Sequence, residues 1–433
     1  MAFQNVAQLI ARFKDLGAVR IFCKHLSEND NSKQQIYLGS SFEALTFFPH
    51  GEIKAYPDLT LPNFKASLEL YWVDAETVEQ ANGTQLILYP GYPEVRLSGF
   101  LAGCKNAPSK LLQKRPKSIR RGYDGRVLVF GTTADRRTFA HLAQEHSSLA
   151  QELLRKFSNT PIDGIFLELT LPVGSIKNRT LVLNALREIH RAGFHASCKC
   201  NKDGQILPYK AKNGGGYTLE ALLGIAPNSA AEPDYLGWEI KAHSQPRITL
   251  MTPEPNGGFY CEKGMKAFVE RYGHTTGKGD KYFTGTHKVD LLCEATKMTM
   301  QISGYSLSNP KKLDVTGAIY LVDADGNEAA SWAFENLLTH WTRKHAFAAY
   351  IPFTSKDDPR EYAYSSPILM GEHTDFTKYL RALALGLIVF DPGSKVSGPS
   401  AAKPENKARS QFRIHTRHLN LLYESLTPES LDT

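Results

Sequence analysis

Between residues 19 and 131 the chain breaks into seven short β-rich runs, VRIFCKHL, QIYLG, ALTFFP, ASLELYWV, TQLILYP, VRLSGFL and RVLVFG. Turn formers such as Asn29-Asp30-Asn31-Ser32, Pro49-His50-Gly51 and Pro90-Gly91-Tyr92-Pro93 separate them. Short strands at this spacing predict a small barrel or sandwich. Before them, Val6, Leu9, Ile10, Phe13 and Leu16 fall at helical spacing over residues 2–16, and a second helix is expected over about 138–157. Past residue 160 the rhythm changes. GIFLELTLPVG (164–174) reads as a strand and RTLVLNALREIHRAG (179–193) as a helix ended by Gly193; TGAIYLVDADG (316–326) reads as a strand ahead of a helix near 334–346; FTKYLRALALG (376–386) is a helix running into LIVFD, and SGPSAAKPENK (397–407) a loop. With 433 residues, two domains are expected, at 1–165 and 176–433, the boundary lying between about 158 and 178.

The remaining composition excludes more than it assigns. No run of 18 apolar residues exists, and the first residues lack a basic segment followed by a long apolar stretch. A soluble, cytoplasmic protein with no membrane partner is therefore expected. Six cysteines do not make a disulfide framework; Cys198 and Cys200 form a CxC with His195 nearby, but no second Cys or His pair stands at zinc-finger spacing. That pair reads as a reduced-thiol strand.

Lys and Arg number 51 against 44 Asp and Glu, and the excess is concentrated. One run holds Lys105, Lys110, Lys114, Arg115, Lys117, Arg120, Arg121 and Arg126 against Asp124; the other holds Lys395, Lys403, Lys407, Arg409, Arg413 and Arg417 against Glu405. A single such run is ordinarily a solvated face. Two of them, without an amphipathic apolar helix beside them, point to a polyanion partner.

The segment GGGYTLEALLGIAPNSAAEPDYLGWEIKAHS (214–244) carries the chemistry. Thr218 is placed to cap a short helix bearing Glu220, and the glycines before it read as a flexible entry, since no Gly-Lys-Ser/Thr follows. Asp234 precedes a tight Leu236-Gly237 region, then Glu239 and Lys241 alternate on one strand face with Trp238 and Ile240 on the other. Two adjacent carboxylates repel, and Mg²⁺, which takes carboxylate and water oxygens, relieves the repulsion. The Lys241 ammonium can orient a water and meet a phosphate, so the parts are those of metal-assisted phosphodiester hydrolysis. D-x4-E-x-K alone arises by chance on the order of once in ten chains of this length, so the neighbouring features have to support it.

Those features extend to a resemblance. TLEALLGI and EPDYLGWEIK, with TPEPNGGFY (252–260), ASWAFENLLTHWTRKHAFAAYIP (330–352), DFTKYLRALALGLIVFDPGSK (375–395) and SQFRI (410–414), resemble the MvaI/BcnI type II restriction endonucleases across about 178–433. The resemblance implies an α/β PD-(D/E)xK nuclease fold of the MutH-like branch, with a catalytic and a recognition lobe. It implies that Asp234, Glu239 and Lys241 form the metal- and water-handling triad, with Mg²⁺ on Asp234 and Glu239, and Glu220 in support. It further implies a monomer that cuts double-stranded DNA at a CC-N-GG type site, CCWGG above all, with a cognate DNA methyltransferase in the same bacterial cell. Guanine is read best by Arg or Lys, which puts Arg409, Gln411 and Arg413 forward as readers and Asp391 as acceptor from cytosine N4. Lys395 and Lys407 are expected on phosphates. His287 and Lys288 are secondary candidates, as are Arg343, Lys344 and His345, which could equally cap their own helix.

KHLSENDNSKQQIYLG (24–39) and PEVRLSGF (93–100) resemble the effector DNA-binding domain of EcoRII, a mainly β pseudo-barrel. That resemblance implies DNA contacts from Lys24, Asn29, Asn31, Ser32, Lys33, Gln34, Gln35, Tyr37, Arg96 and Ser98, and two DNA sites held at once, the second stimulating cleavage. The rival readings are a strand-nicking repair endonuclease on the same fold and a DNA-binding protein without catalysis.

Overall fold

The strand Ala18–Ser27 organises the first half of the chain because both its faces are apolar. Ile21 and Cys23 pack with Val6, Leu9 and Phe13 of the helix Val6–Asp15 and with Leu149 and Leu153 of the helix Ser148–Asn159. Phe22, projecting to the opposite face, enters a ring cluster with Phe47, Phe48, Phe130 and Phe166 at centroid distances of 5.1–5.6 Å. The computed structural model describes residues 3–27, 35–113, 123–160, 162, 164–169, 176–225, 234–277, 279–358, 360–398 and 405–432. It divides into two units, Met1–Asn184 and Ala185–Thr433.

The first unit is strand-rich. One six-stranded sheet has the order Leu167–Glu168, Ala18–Ser27, Tyr123–Thr133, Thr138–Ala143, Leu70–Val73, Val78–Ala81. A five-stranded antiparallel sheet has the order Gln35–Gly39, Glu94–Ser98, Gln85–Tyr89, Asn63–Ser67, Ile53–Tyr56. Two expected elements differ. ALTFFP is not a strand but the end of a 3-10 helix, Phe42–Phe47, whose Phe42, Ala44, Leu45 and Phe47 are buried, Phe42 and Leu45 standing one three-residue turn apart. The helix expected over 138–157 is a strand, Thr138–Ala143, followed by a shorter helix that Ser147 caps by accepting from the Ala150 N–H. The apolar run TFAHLA is buried on both faces as an interior strand, a pattern that periodicity alone cannot tell from a helix. Of GIFLELTLPVG only Leu167–Glu168 is strand among the described residues, and 170–175 lie outside them.

The second unit mixes helices with several small sheets. Its largest sheet has the order His195–Ala196, Arg360–Tyr364, Phe347–Asp357, Ile368–Glu372, Ser425–Glu429. The strand Glu239–His243 pairs parallel with Phe347–Asp357, Glu239 opposite Ala348 and Lys241 opposite Tyr350. A three-stranded sheet, Arg247–Met251, Phe412–His415, Ile388–Phe390, packs Phe390 and Phe412 on Trp332, whose indole N–H donates to the Pro253 carbonyl at 3.0 Å. Helices Phe334–Lys344 and Phe376–Ala384 lie near their expected positions, the second followed by Gly386 at φ +68°. Part of the 397–407 loop is strand, Glu405–Lys407, and 399–404 lie outside the described residues.

Candidate active site

The helix carrying Glu220 starts earlier than its capping signal suggests. It runs Gly214–Leu222, so Thr218 is internal and fully buried, not an N-cap. Its hydroxyl instead accepts from the Cys198 N–H at 3.1 Å and donates to the Cys198 carbonyl at 3.2 Å, tying the helix to the strand Cys198–Cys200. Gly214 and Gly215 are a close-packed helix start rather than a flexible entry, while Gly216 faces open space. A Cβ on Gly215 would stand 2.3 Å from the Phe353 ring, and one on Gly214 would stand 2.7 Å from Ser197 Oγ and 2.8 Å from the Tyr362 hydroxyl. The Tyr364 hydroxyl donates to the Gly215 carbonyl at 2.7 Å. Only a helix without side chains at these positions can approach the sheet closely enough to put Glu220 beside the next segment.

That segment is a hairpin in miniature. Leu236 and Gly237 both take positive φ, +50° and +82°, closing Tyr235 and Trp238 into two reciprocal backbone hydrogen bonds of 3.0 and 2.9 Å. The reversal folds Asp234 back onto the strand it precedes, where its Oδ2 accepts from the Ile240 N–H at 3.0 Å. Trp238 and Ile240 are buried in the core, Trp238 against Phe347 at 5.4 Å. Glu239 and Lys241 therefore share the opposite face, with Lys241 Nζ donating to Glu239 Oε1 at 2.6 Å.

Electrostatically the cluster is under tension. Glu220 is pushed up to about 7, first by burial and then by the charge of Asp234. Asp234 is raised by burial and by Glu239. Glu239 is 1% exposed, and burial alone would raise it too, but its basic neighbours, Lys241 foremost, outweigh that and hold it below the usual carboxylate range. Burial pulls the Lys241 ammonium down, and Glu239, Asp234 and Glu220 more than offset it, so it stays protonated. Glu239 Oε2 is buried and accepts no hydrogen bond. A buried anionic oxygen without a donor is costly; a hard cation is the partner that suits it. Among the described residues no three His, Cys, Asp or Glu side chains are gathered closely enough to enclose an ion. Asp234 and Glu239 fit Mg²⁺ as an ion that keeps several waters, with Glu220 behind them.

The Glu220 shift has a consequence for stability. A carboxyl raised on folding contributes stability that is present below its unfolded pKa and lost as the pH rises through its folded one. Without divalent ions, Glu220→Gln is expected to gain up to about 3 kcal/mol over the parent at pH 8 and nothing at pH 4, the difference developing between the ordinary glutamate value and 7. Thermal melts in EDTA across that range check it; a difference independent of pH contradicts it.

Around this centre the other expected residues are dispersed. His287 is fully buried, its Nδ1–H donating to the Phe390 carbonyl at 3.2 Å and its Nε2 accepting from the Thr296 hydroxyl at 2.8 Å. Burial lowers it to about 4, so it is a neutral core histidine and not a DNA contact. Lys288, beside it, is exposed. Arg413 and Asp391 are brought together, Nη1 to Oδ2 at 2.7 Å, with Arg413 Nη2 donating to the Arg247 carbonyl at 2.7 Å. Arg247 adds its guanidinium 3.8 Å from the same Asp391 oxygen; it lies in no basic run, and only the pairing of Arg247–Met251 with Phe412–His415 reveals it. The Gln411 carbonyl accepts from the Asp391 N–H, and the Arg409 N–H donates to Ser394 Oγ. Lys395 and Lys407 face each other across paired strands, a like-charge pair that an anion would relieve. His345 is buried beneath Trp341 at 4.3 Å and lowered by burial to about 3, its Nε2–H donating to the Leu250 carbonyl. His195 donates its Nε2–H to the Ile189 carbonyl.

In the first unit, Gln35 stands opposite Ser98 and Tyr37 opposite Arg96, so these four share one sheet face while Ile36, Leu38, Val95 and Leu97 fill the core behind them. Gln35 donates to the Tyr89 hydroxyl at 3.0 Å, and Arg96 pairs with Glu94 at 2.9 Å. Lys24 is a correction. It is 2% exposed and donates inward to the Tyr37 carbonyl, so it supports the strand rather than reaching a ligand. Asn29, Asn31, Ser32, Lys33 and Gln34 lie outside the described residues, as do Lys114 to Arg121 of the first basic run. Arg126 of that run is buried and donates to the Leu111 and Gln113 carbonyls.

The family model described as "MvaI/BcnI restriction endonuclease family" matches residues 183–423. A search of curated proteins finds no match. Among solved structures, restriction endonuclease MvaI with its cognate DNA substrate is similar at 18% identity over 59% of this chain and 99% of that one, with a TM-score of 0.47. MvaI in the absence of DNA is similar at 17% identity over 59% and 98%, TM-score 0.33. The B3 domain of UbaLAI restriction endonuclease with cognate DNA is similar at 18% identity over 37% and 94%, TM-score 0.23.

Proposed function

Because this chain belongs to the MvaI/BcnI restriction endonuclease family and is a type II restriction endonuclease, we propose that it hydrolyses both strands of DNA at a CC-N-GG type site, CCWGG above all, with Mg²⁺ as cofactor. The observation that carries the chemistry is the convergence of Asp234, Glu239 and Lys241, with one Glu239 oxygen buried and without a donor. When bound, Mg²⁺ supplies Lewis-acid polarisation of the scissile phosphate and stabilises a water-derived nucleophile. Asp234 and Glu239 hold it, and Glu220 adds negative charge behind them. Lys241, kept protonated by its carboxylates, orients the attacking water and offers its charge to the phosphate. In-line attack leaves a 5′-phosphate and a 3′-hydroxyl.

The catalytic and recognition lobes of the PD-(D/E)xK fold are assigned to the second unit. Asp391 and Arg413 are preassembled for one C·G pair, the carboxylate accepting from cytosine N4 and the guanidinium donating to guanine O6 and N7. Arg409 and Gln411 extend that edge, Lys395 and Lys407 meet phosphates, and Lys288 flanks them. One active site per monomer requires two successive nicks, and a methyltransferase of the same specificity protects the host's own DNA. Sequencing the ends of a digested random-sequence library tests the specificity; ends sharing CCWGG are expected, and ends sharing no such motif contradict it.

The first unit is proposed as an effector-like DNA-binding pseudo-barrel that holds a second copy of the site. The shared face of Gln35, Tyr37, Arg96 and Ser98 supports this, being polar, half-buried and backed by a core that holds it rigid. The double variant Gln35→Ala/Arg96→Ala is expected to lose the advantage of a two-site plasmid over a one-site plasmid, with one-site cutting unchanged. Equal loss on both plasmids contradicts an effector role.

A further inference from the structure

Lys344 is the last residue of the helix Phe334–Lys344, whose Phe334, Leu337, Leu338, Trp341 and Thr342 are buried. The chain then passes through buried His345 into the strand Phe347–Asp357, which holds Ala348 opposite Glu239. Both flanks are thus anchored, which fixes where the Lys344 side chain leaves the backbone. A lysine at a helix C-terminus ordinarily leans back over its own last carbonyls. Here Nζ stands 3.9 Å from Glu239 Oε2, the oxygen that is buried and accepts no hydrogen bond.

That distance is short for two charges and too long for a hydrogen bond. Glu239 is thereby neutralised on both sides, by a bonded Lys241 and by an unbonded Lys344. The Lys344 charge also acts on Glu220 and Asp234, so it serves the whole cluster. A cation arriving at Oε2 meets an ammonium beside it, and that ammonium must lose its role as counterion. Its side chain is 29% exposed, so a DNA phosphate can reach it.

We propose that Lys344 is a second active-site lysine that stands in for the divalent cation in the DNA-free protein and passes to a backbone phosphate when DNA and cation enter together. The inference rests on the reading of Glu239 as a cation ligand. It makes cation and DNA binding mutually reinforcing, since each removes an obstacle to the other. A DNA-free protein with Lys344 in place then binds the cation weakly.

The test is Mn²⁺ binding to the full chain without DNA, followed by electron paramagnetic resonance, for the parent, Lys344→Met, Lys344→Arg and Glu239→Gln. Lys344→Met keeps the aliphatic stem and is expected to bind Mn²⁺ about 10-fold more tightly than the parent, and Lys344→Arg about as the parent does. In Ca²⁺, the slope of log affinity for a site-containing duplex against log salt should fall by roughly one unit in Lys344→Met. A lysine that only capped its helix would leave Mn²⁺ affinity unchanged or reduced in Lys344→Met, and that result overturns the proposal. Should Glu239→Gln bind Mn²⁺ as the parent does, the reading of Glu239 as a ligand fails instead, and the two failures are distinguishable in one experiment.

Discussion

Lys241→Ala is expected to cut DNA on the order of 10³-fold more slowly than the parent while binding a site-containing duplex in Ca²⁺ nearly as well. Lys241 Nζ is held 2.6 Å from Glu239 Oε1 and kept protonated by the three carboxylates, so its charge is fixed where the transition state gains negative charge. Removing it deprives the phosphate of that charge and the water of its donor. It also leaves a carboxylate that is 1% exposed with neither oxygen bonded. Removing the bonded partner of a buried charge costs up to about 3–5 kcal/mol; Lys344, 3.9 Å away, and uptake of a proton by Glu239 each offset part of it, and a protonated Glu239 holds a cation poorly. Single-turnover cleavage with enzyme in excess separates these effects from binding. A fall in kcat that more Mg²⁺ partly restores identifies the loss of ligand charge; a loss insensitive to Mg²⁺ identifies the missing donor. Cleavage within a few-fold of the parent contradicts the role given to Lys241.

Trp238→Ala is expected to destabilise the second unit by about 3–5 kcal/mol and to reduce cleavage with it. Trp238 is 1% exposed, packs on Phe347 and precedes Glu239, so it anchors the strand and closes the Leu236-Gly237 reversal that returns Asp234 to the site. Its indole N–H has no hydrogen-bond partner, and the contribution is therefore packing. Trp238→Phe should cost clearly less than Trp238→Ala, because a ring is kept, a smaller cavity is left and no hydrogen bond is lost. Denaturant midpoints for both variants check the contrast; equal losses would mean that the N–H matters after all.

The clustering of Asp234, Glu239 and Lys241 is legible in the sequence because its logic is local. Two-residue alternation places Glu239 and Lys241 on one face, and Leu236-Gly237 is the kind of reversal that brings Asp234 alongside. The helix start was misread because Gly-Gly-Gly signals freedom in isolation, and its true cause, the Phe353 ring 2.3 Å from a hypothetical Cβ, comes from a strand 138 residues away. Thr218 carries a capping residue's chemistry and spends it on Cys198, again a tertiary partner. His287 and Lys24 belong to polar-residue types that usually face solvent, and nothing local announces that the Phe390 and Tyr37 carbonyls await them inside. Arg247 and Lys344 were missed or left open for a related reason. Each acts on a carboxylate distant in sequence, Asp391 or Glu239, and a single chain read in order does not display that proximity. In the first unit, the double-faced strand at 138–143 looked helical because an interior strand is apolar on both sides and loses its period of two.

Asp234, Glu239 and Lys241 are proposed to act with Mg²⁺ in cutting DNA at one short sequence. Digestion of a supercoiled plasmid by the parent and by Asp234→Ala, with fragment ends sequenced, tests it most directly. Discrete linear fragments ending in a common CC-N-GG type site, present with Mg²⁺, absent with EDTA and absent for Asp234→Ala, are the predicted result. Nicked circles alone, or fragments that persist in Asp234→Ala, would contradict it.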